Sequence, residues 1–183
     1  MRRIAMRGRR SILGRTYRAG RGQSLAEFAL ILTPLLLLLL GIIQFGFIFN
    51  TSVTITNAVR EGAREGTIYV YDQTRTKAQN DAARNDRIRT TVLASLNNLT
   101  KTAPQFDPGS AWSQSVLVFS SGDLQVTYAV PSGVTDSDPR TGEQITVQLT
   151  YHQDLLIPFI ASLLPKDANG RIGLSAQATM VIN

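Results

Sequence analysis

The hydrophobic positions of this chain form one long uninterrupted run, followed by shorter periodic segments. The run is Phe28–Phe49, 22 residues of which sixteen are Leu, Ile or Phe and none is charged. As a helix it would be about 33 Å long, enough to cross a hydrocarbon core of about 30 Å. Because the run has no polar face, it predicts a transmembrane helix rather than the core helix of a soluble domain.

The predicted helix continues beyond the membrane to about Gly66. Ala58, Gly62 and Gly66 recur every four residues. They form a small-residue stripe, on which another element could pack closely. Two partners fit this stripe: a helix of a neighbouring subunit, or the outer domain of this same chain.

Residues 75–100 have the period of a second, amphipathic helix. Its apolar face would carry Ile88, Val92, Leu96 and Leu99. The charged residues Arg84, Asp86, Arg87 and Arg89 are expected on the opposite, solvated face. After a loop the period becomes two, which is typical of an antiparallel sheet with one covered face.

The alternating segments that predict strands are 116–119, 124–130, 145–151 and 172–182. The second helix is the natural cover for their apolar face, and the apolar segment 157–164 is expected to close the core. The predicted fold class is therefore α+β: a long N-terminal transmembrane helix and a second helix packed on a small antiparallel β-sheet.

Positive charge is concentrated at the N-terminus. Eight arginines precede the first acidic residue, Glu27, whereas the residues after 50 carry eleven basic and twelve acidic side chains. A basic arm beside a membrane helix resists translocation, so the N-terminus is predicted to be cytoplasmic and the residues after 50 extracytoplasmic. The net charge of +6 therefore gives no reason to predict nucleic-acid binding.

Residues with catalytic or ligating chemistry are sparse. The chain has no cysteine, which excludes disulfides, thiolate nucleophiles and cysteine metal sites. Its one histidine, His152, would share a strand face with Asp154, but two ligands are too few for a metal site and no nucleophile accompanies them. The sequence predicts no enzyme, no metal, no cofactor and no small-molecule substrate.

The residues directly before the apolar run carry the most specific signal. The basic arm leads to Gly22, the letters QSLA follow, and Glu27 precedes the run. Type IV prepilins and pseudopilins share this order, with a glutamate at the fifth mature position, and this chain resembles them. Residues 21–64 resemble more particularly the TadE-like family of Flp/Tad pilus biogenesis. The second part of that resemblance is the motif residues Asn57, Arg60, Glu61, Gly62, Ala63 and Arg64.

The resemblance implies that a prepilin peptidase cuts between Gly22 and Gln23. Cleavage would leave a new ammonium at Gln23, one helical turn from Glu27. Because an unpaired carboxylate in hydrocarbon costs at least about 2.5 kcal/mol, Glu27 is expected to pair with such an ammonium of its own or a neighbouring chain. The alternative is an interfacial glutamate that the helix dipole favours. The family often carries an acidic residue near the end of the span, where this chain has Gln44.

The expected organisation has three parts: a basic cytoplasmic leader at 1–22, a helix at 23–66 with its span at 28–49, and an extracytoplasmic α+β domain at 67–183. The resemblance implies a type IV pilin-like, single-pass minor pseudopilin of the cytoplasmic (inner) membrane. Its partners would be the peptidase, other pilins or pseudopilins, the pilus assembly platform and the lipid bilayer. The alternative is an uncleaved, signal-anchored domain that binds a ligand or a surface as an adhesin does.

Overall fold

The computed structural model describes residues 20–96, 99, 111–136, 139–157, 162 and 164–183. The two helices are α1 (Gly20–Thr67) and α2 (Lys77–Leu96). The five strands are β1 (Ser113–Ser115), β2 (Val118–Ser121), β3 (Leu124–Ala129), β4 (Gln144–Gln153) and β5 (Ile172–Val181). Most of the predicted leader and most of the apolar segment 157–164 lie outside the described residues.

The strands form one antiparallel sheet in the order β1-β2-β3-β4-β5, so each strand pairs with its neighbour in sequence. The longest ladder joins β4 to β5 over ten residue pairs, from Gln144 opposite Val181 to Gln153 opposite Ile172. The turn between β2 and β3 contains Gly122 with φ 60°, a backbone conformation that glycine adopts without steric cost. The structure confirms the predicted α+β class.

The chain divides into two compact units, with the boundary between Leu39 and Leu40 inside α1. The hydrophobic core lies in the second unit, where α1 and α2 both contribute to the layer that covers one face of the sheet. Its buried members from the helices are Ile55, Ala58, Val59, Ala63, Ile88, Val92 and Leu96. Those from the sheet include Leu124, Val126, Tyr128, Ile145, Val147, Leu149 and Tyr151. The cover is thus formed by two helices: α2, which the sequence predicted as the natural cover, and α1, for which packing against the chain's own domain was one of two alternatives.

The small-residue stripe of α1 faces this chain's own domain. A Cβ placed on Gly62 would lie 2.5 Å from Cγ2 of Val92, and one on Gly66 would lie 2.7 Å from Cδ1 of Ile145. Ala58 is fully buried. The two glycines therefore allow α1 to approach α2 and the sheet more closely than any side chain would permit.

Two of the four charged residues of α2 that the sequence placed on a solvated face are buried. Arg84 and Arg89 are 2% and 8% exposed, whereas Asp86 and Arg87 are exposed as predicted. Arg84 donates to the carbonyl of Pro139 in the connection between β3 and β4, and Arg89 donates to Ser121 at the end of β2. The prediction was wrong for Arg84 and Arg89 because their burial depends on partners far away in sequence.

Replacement of Gly62 by alanine should destabilise the fold. An alanine normally stabilises a helix relative to glycine by about 0.5–1 kcal/mol, but here the new methyl group would collide with a stiff β-branched side chain in the core. Overpacking of this kind costs about 1–3 kcal/mol. Thermal unfolding of the detergent-solubilised chain, followed by circular dichroism, measures the change.

Gly46→Ala is the matched control, because a Cβ at Gly46 would meet nothing within 4 Å. It should leave the unfolding temperature unchanged or raised. The double variant Gly62→Ala/Val92→Ala should lose less stability than the sum of the losses of the two single variants, because Val92→Ala removes the methyl group that the new alanine would meet. Equal effects of the alanine at positions 62 and 46 would contradict the packing described above.

Candidate functional site

The candidate processing segment, residues 22–27, lies in the first turns of α1. The helix begins at Gly20, and a Cβ on Gly22 would meet nothing within 4 Å. Gln23 and Glu27, both exposed, are brought together: Nε2 of Gln23 donates to Oε1 of Glu27 at 3.0 Å.

Beyond this segment α1 carries an unusually apolar surface. By length and composition it is the one helix among the described residues that could cross a membrane. Its most apolar 18 residues have a mean hydropathy of 2.5, and 6% of them are buried. Large side chains from Leu25 to Phe49 are mostly exposed on all sides of the helix. Each Å² of such surface favours transfer out of water by about 25 cal/mol. The helix therefore suggests a membrane anchor.

The motif Asn57–Arg64 has an inward and an outward half. Gly62 and Ala63 are buried in the core, whereas Asn57, Arg60, Glu61 and Arg64 are exposed. Arg64 and Glu61 form an ion pair of 3.5 Å whose side chains are 67% and 53% exposed, and pairs of this kind contribute about 0.2–0.5 kcal/mol. The inward half is explained by packing, and the outward half is available to a partner.

Gln44 is fully buried although it lies within the predicted span. Its Oε1 accepts the backbone N–H of Leu156 at 3.0 Å, and its Nε2 has no partner among the described residues. About two turns further on, Thr51 donates to Oε1 of Gln153 at 2.7 Å. These two contacts hold the end of β4 and the chain after it against α1. The sequence showed Gln44 only as a departure from the family pattern.

A buried ionic cluster lies between α2 and the β3–β4 connection, and sequence reasoning missed it. Nε and Nη2 of Arg140 donate to the two carboxylate oxygens of Asp81 at 2.8 and 2.9 Å, and Nη1 donates to Glu143 at 2.6 Å. The guanidinium carbon lies 4.5 Å from the ring centroid of Tyr128. Arg140 also has φ 65°, a strained conformation for a bulky residue that surrounding contacts must hold.

The pKa values of this cluster indicate a structural role. Burial raises the pKa of Tyr128. Burial by itself would lower the pKa of Arg140, but the hydrogen bonds to the carboxylates of Asp81 and Glu143 outweigh it and raise that pKa. A guanidinium held in this way does not release a proton. The carboxylates of Asp81 and Glu143 therefore neutralise the guanidinium of Arg140 beside the core.

His152 and Asp154 do not share a strand face, as the sequence predicted they would. β4 ends at Gln153, so Asp154 lies beyond the strand, where it pairs with Arg171 at 3.2 Å. Nδ1 of His152 is 2.9 Å from Asp167 and its Nε2 is 3.6 Å from Asp123. The two nitrogens face different carboxylates, and no group of three metal-ligating side chains occurs among the described residues.

Comparison with known proteins gives one match. Residues 22–64 match the family model of the TadE-like proteins, which confirms the resemblance found in the sequence. No curated protein and no solved structure matches the chain significantly. The match covers about a quarter of the chain: the processing segment, the apolar run and the motif, all within α1.

The family match and the apolar N-terminal helix together support a membrane-anchored, pilus-related component. TadE-like pilus proteins are structural rather than enzymatic. A family of this kind suggests interactions with other pilus components and with the membrane. The α+β domain that follows α1 lies beyond the matched residues, so its contribution is argued from its own geometry.

Arg140→Ala should destabilise the domain strongly. Removal of the guanidinium leaves Glu143 buried without its cation and leaves Asp81 with only Arg84, at 3.9 Å, and breaking a buried pair in this way costs about 3–5 kcal/mol. Chemical denaturation of the solubilised chain, followed by circular dichroism, measures the loss.

Arg75→Ala is the control for this prediction. Arg75 pairs with Asp72 at 3.1 Å, but the two side chains are 49% and 38% exposed. Such a surface pair contributes less than about 1 kcal/mol. Similar losses of stability for the two variants would contradict the structural role assigned to the buried cluster.

Proposed function

We propose that this chain is a TadE-like minor pseudopilin, a structural component of a Flp/Tad pilus anchored in the cytoplasmic membrane by one N-terminal helix. A prepilin peptidase would cut it between Gly22 and Gln23. The observation that carries the proposal is the family match, which begins at Gly22, the residue before the proposed cut, and ends at Arg64, the last residue of the motif. The basic residues before Gly22 and the apolar run after Glu27 agree with a cytoplasmic leader and a single span.

Charge pairing at the mature N-terminus is the proposed role of Glu27. In the uncut chain its carboxylate accepts a hydrogen bond from the neutral amide of Gln23. Cleavage adds an ammonium at Gln23, one turn away and within reach of the same carboxylate. In a low-dielectric environment this pairing offsets much of the penalty on each charge. The ammonium of a neighbouring subunit could take the same place and thereby align two helices.

Contacts with other subunits would use the surfaces of α1 that the chain leaves uncovered. The small-residue stripe is occupied by the chain's own α2 and sheet, which removes it as a docking face. What stays exposed is the apolar surface of the span and the polar residues Asn57, Arg60, Glu61 and Arg64. We therefore assign helix contacts in the bilayer to the span and contacts outside it to these polar residues, with no catalytic role for any residue.

Gly22→Leu should block maturation, because a side chain at this position would hinder entry of the backbone into a protease cleft. Mass spectrometry of the chain purified from membranes of cells that contain the peptidase should show a mature start at Gln23 for the natural sequence and residues 1–22 retained in the variant. Gly14→Leu, within the leader, is the control and should be processed normally. Retention of the leader by the natural sequence would instead favour the uncleaved, signal-anchored binding domain.

Glu27→Gln should leave cleavage intact and reduce assembly. The amide keeps the size of the side chain but cannot neutralise an ammonium, so the proposed pair is lost. Co-purification of other pilus subunits with the tagged protein measures assembly, and mass spectrometry of the same sample verifies the cut. Asp72→Asn, a partly exposed acid of the outer domain with a surface ion pair and no assigned contact to other subunits, is the control. Unchanged co-purification with Glu27→Gln would refute the pairing role.

A further inference from the structure

The chain directly after β4 contacts α1 at the level of the predicted span. Residues 154–157, here called the β4 loop, include Leu156, whose N–H is bound by Gln44. Gln44 lies five residues before Phe49, the end of the apolar run, which corresponds to about 7.5 Å along a helix. If the apolar run fills the hydrocarbon core, the β4 loop lies at or below the outer boundary of that core.

The hydrogen bonds of the β4 loop suit such a position. Irregular backbone at membrane depth is tolerated only where protein satisfies its polar groups. Gln44 supplies an acceptor for the N–H of Leu156, and Nε2 of Gln153 donates to the carbonyl of Asp154 at 3.1 Å. A polar residue in an apolar span is itself costly unless it has a partner. The contact between Gln44 and Leu156 therefore gives a partner both to a backbone N–H of the β4 loop and to Oε1 of a polar residue in the span.

The outward side of the β4 loop continues the apolar surface of α1. Leu156 is 64% exposed, and on α1 the residues around the contact, Ile43, Phe45 and Phe47, are 44%, 59% and 47% exposed. Phe47 and Leu156 line one pocket of about 280 Å³, together with Leu99, Tyr151 and the polar residues Asn50, Thr51, Gln153 and Asp154. One exposed leucine needs no explanation, but this one adjoins a surface already assigned to lipid.

We propose that the β4 loop is a second membrane contact, in which Leu156 enters the outer leaflet beside α1. The charged neighbour Asp154, paired with Arg171 at 3.2 Å, would lie among the headgroups. This inference rests on the proposed membrane anchor and extends it. The domain would then contact the bilayer at two places, α1 and the β4 loop. Two contacts would fix its distance from the membrane and its rotation about the helix axis.

Site-specific fluorescence tests this contact directly. The chain has no cysteine, so single variants Leu156→Cys, Leu38→Cys and Val116→Cys can each carry one environment-sensitive dye. Leu38 is in the span, and Val116 is an 84% exposed residue between β1 and β2. The full chain is reconstituted in phosphatidylcholine vesicles that contain acyl-brominated lipid as a quencher, and aqueous iodide serves as the opposing quencher. Circular dichroism melting checks that each labelled variant keeps its fold.

The expected result is a blue-shifted emission at position 156 that brominated lipid quenches and iodide does not, as at position 38. The dye at position 116 should show the reverse. If position 156 behaves like position 116 while position 38 is quenched by lipid, the second contact is refuted and the anchor stands. If position 38 is also reached by iodide and not by lipid, the membrane anchor of the proposed function fails, and this inference fails with it.

Discussion

One helix in this protein must suit two different environments, and the rest of the structure follows from that constraint. Up to about residue 50, α1 presents large apolar side chains in all directions. After that point it presents small residues on one side, where Gly62 and Gly66 meet α2 and the sheet. A helix can serve in both settings because its backbone satisfies its own hydrogen bonds. Only the side chains change, from those that favour lipid to those that allow close packing.

Polar groups near the core are subject to the same requirement, that charge and hydrogen-bonding capacity removed from water must find a partner. Arg140 meets it with two buried carboxylates and the face of Tyr128. Gln44 meets it with a backbone N–H of the β4 loop. In both places a polar residue fixes how an irregular connection lies on a helix, so these pairs contribute to the choice of one arrangement as well as to stability.

The architecture separates packing within the subunit from contacts available to other molecules. The inward half of the Asn57–Arg64 motif is used by the core, whereas the outward half and the apolar run remain accessible. With this separation the fold of the domain does not depend on what covers the exposed surfaces of α1. The sheet offers a comparable division: its inner face is apolar and covered, and its outer face carries threonine, serine and glutamine side chains such as Thr146 and Thr179, which hydrogen-bond across strands at 2.8 Å.

The sequence by itself determined the elements of this protein, because periods of 2 and 3.6 are local properties that hydrophobic side chains record directly. It also located the apolar helix that suggests a membrane anchor and the resemblance to the TadE-like proteins that the family match confirms. Tertiary structure alone decided which surfaces meet. Arg140 and Asp81 are 59 residues apart, and Gln44 and Leu156 are 112 apart, so nothing in the local pattern marks them as partners. Charged residues at helical spacing have the sequence pattern of a solvated face even where a distant segment covers them. A stripe of small residues likewise has the same pattern whether it packs against another subunit or against its own domain.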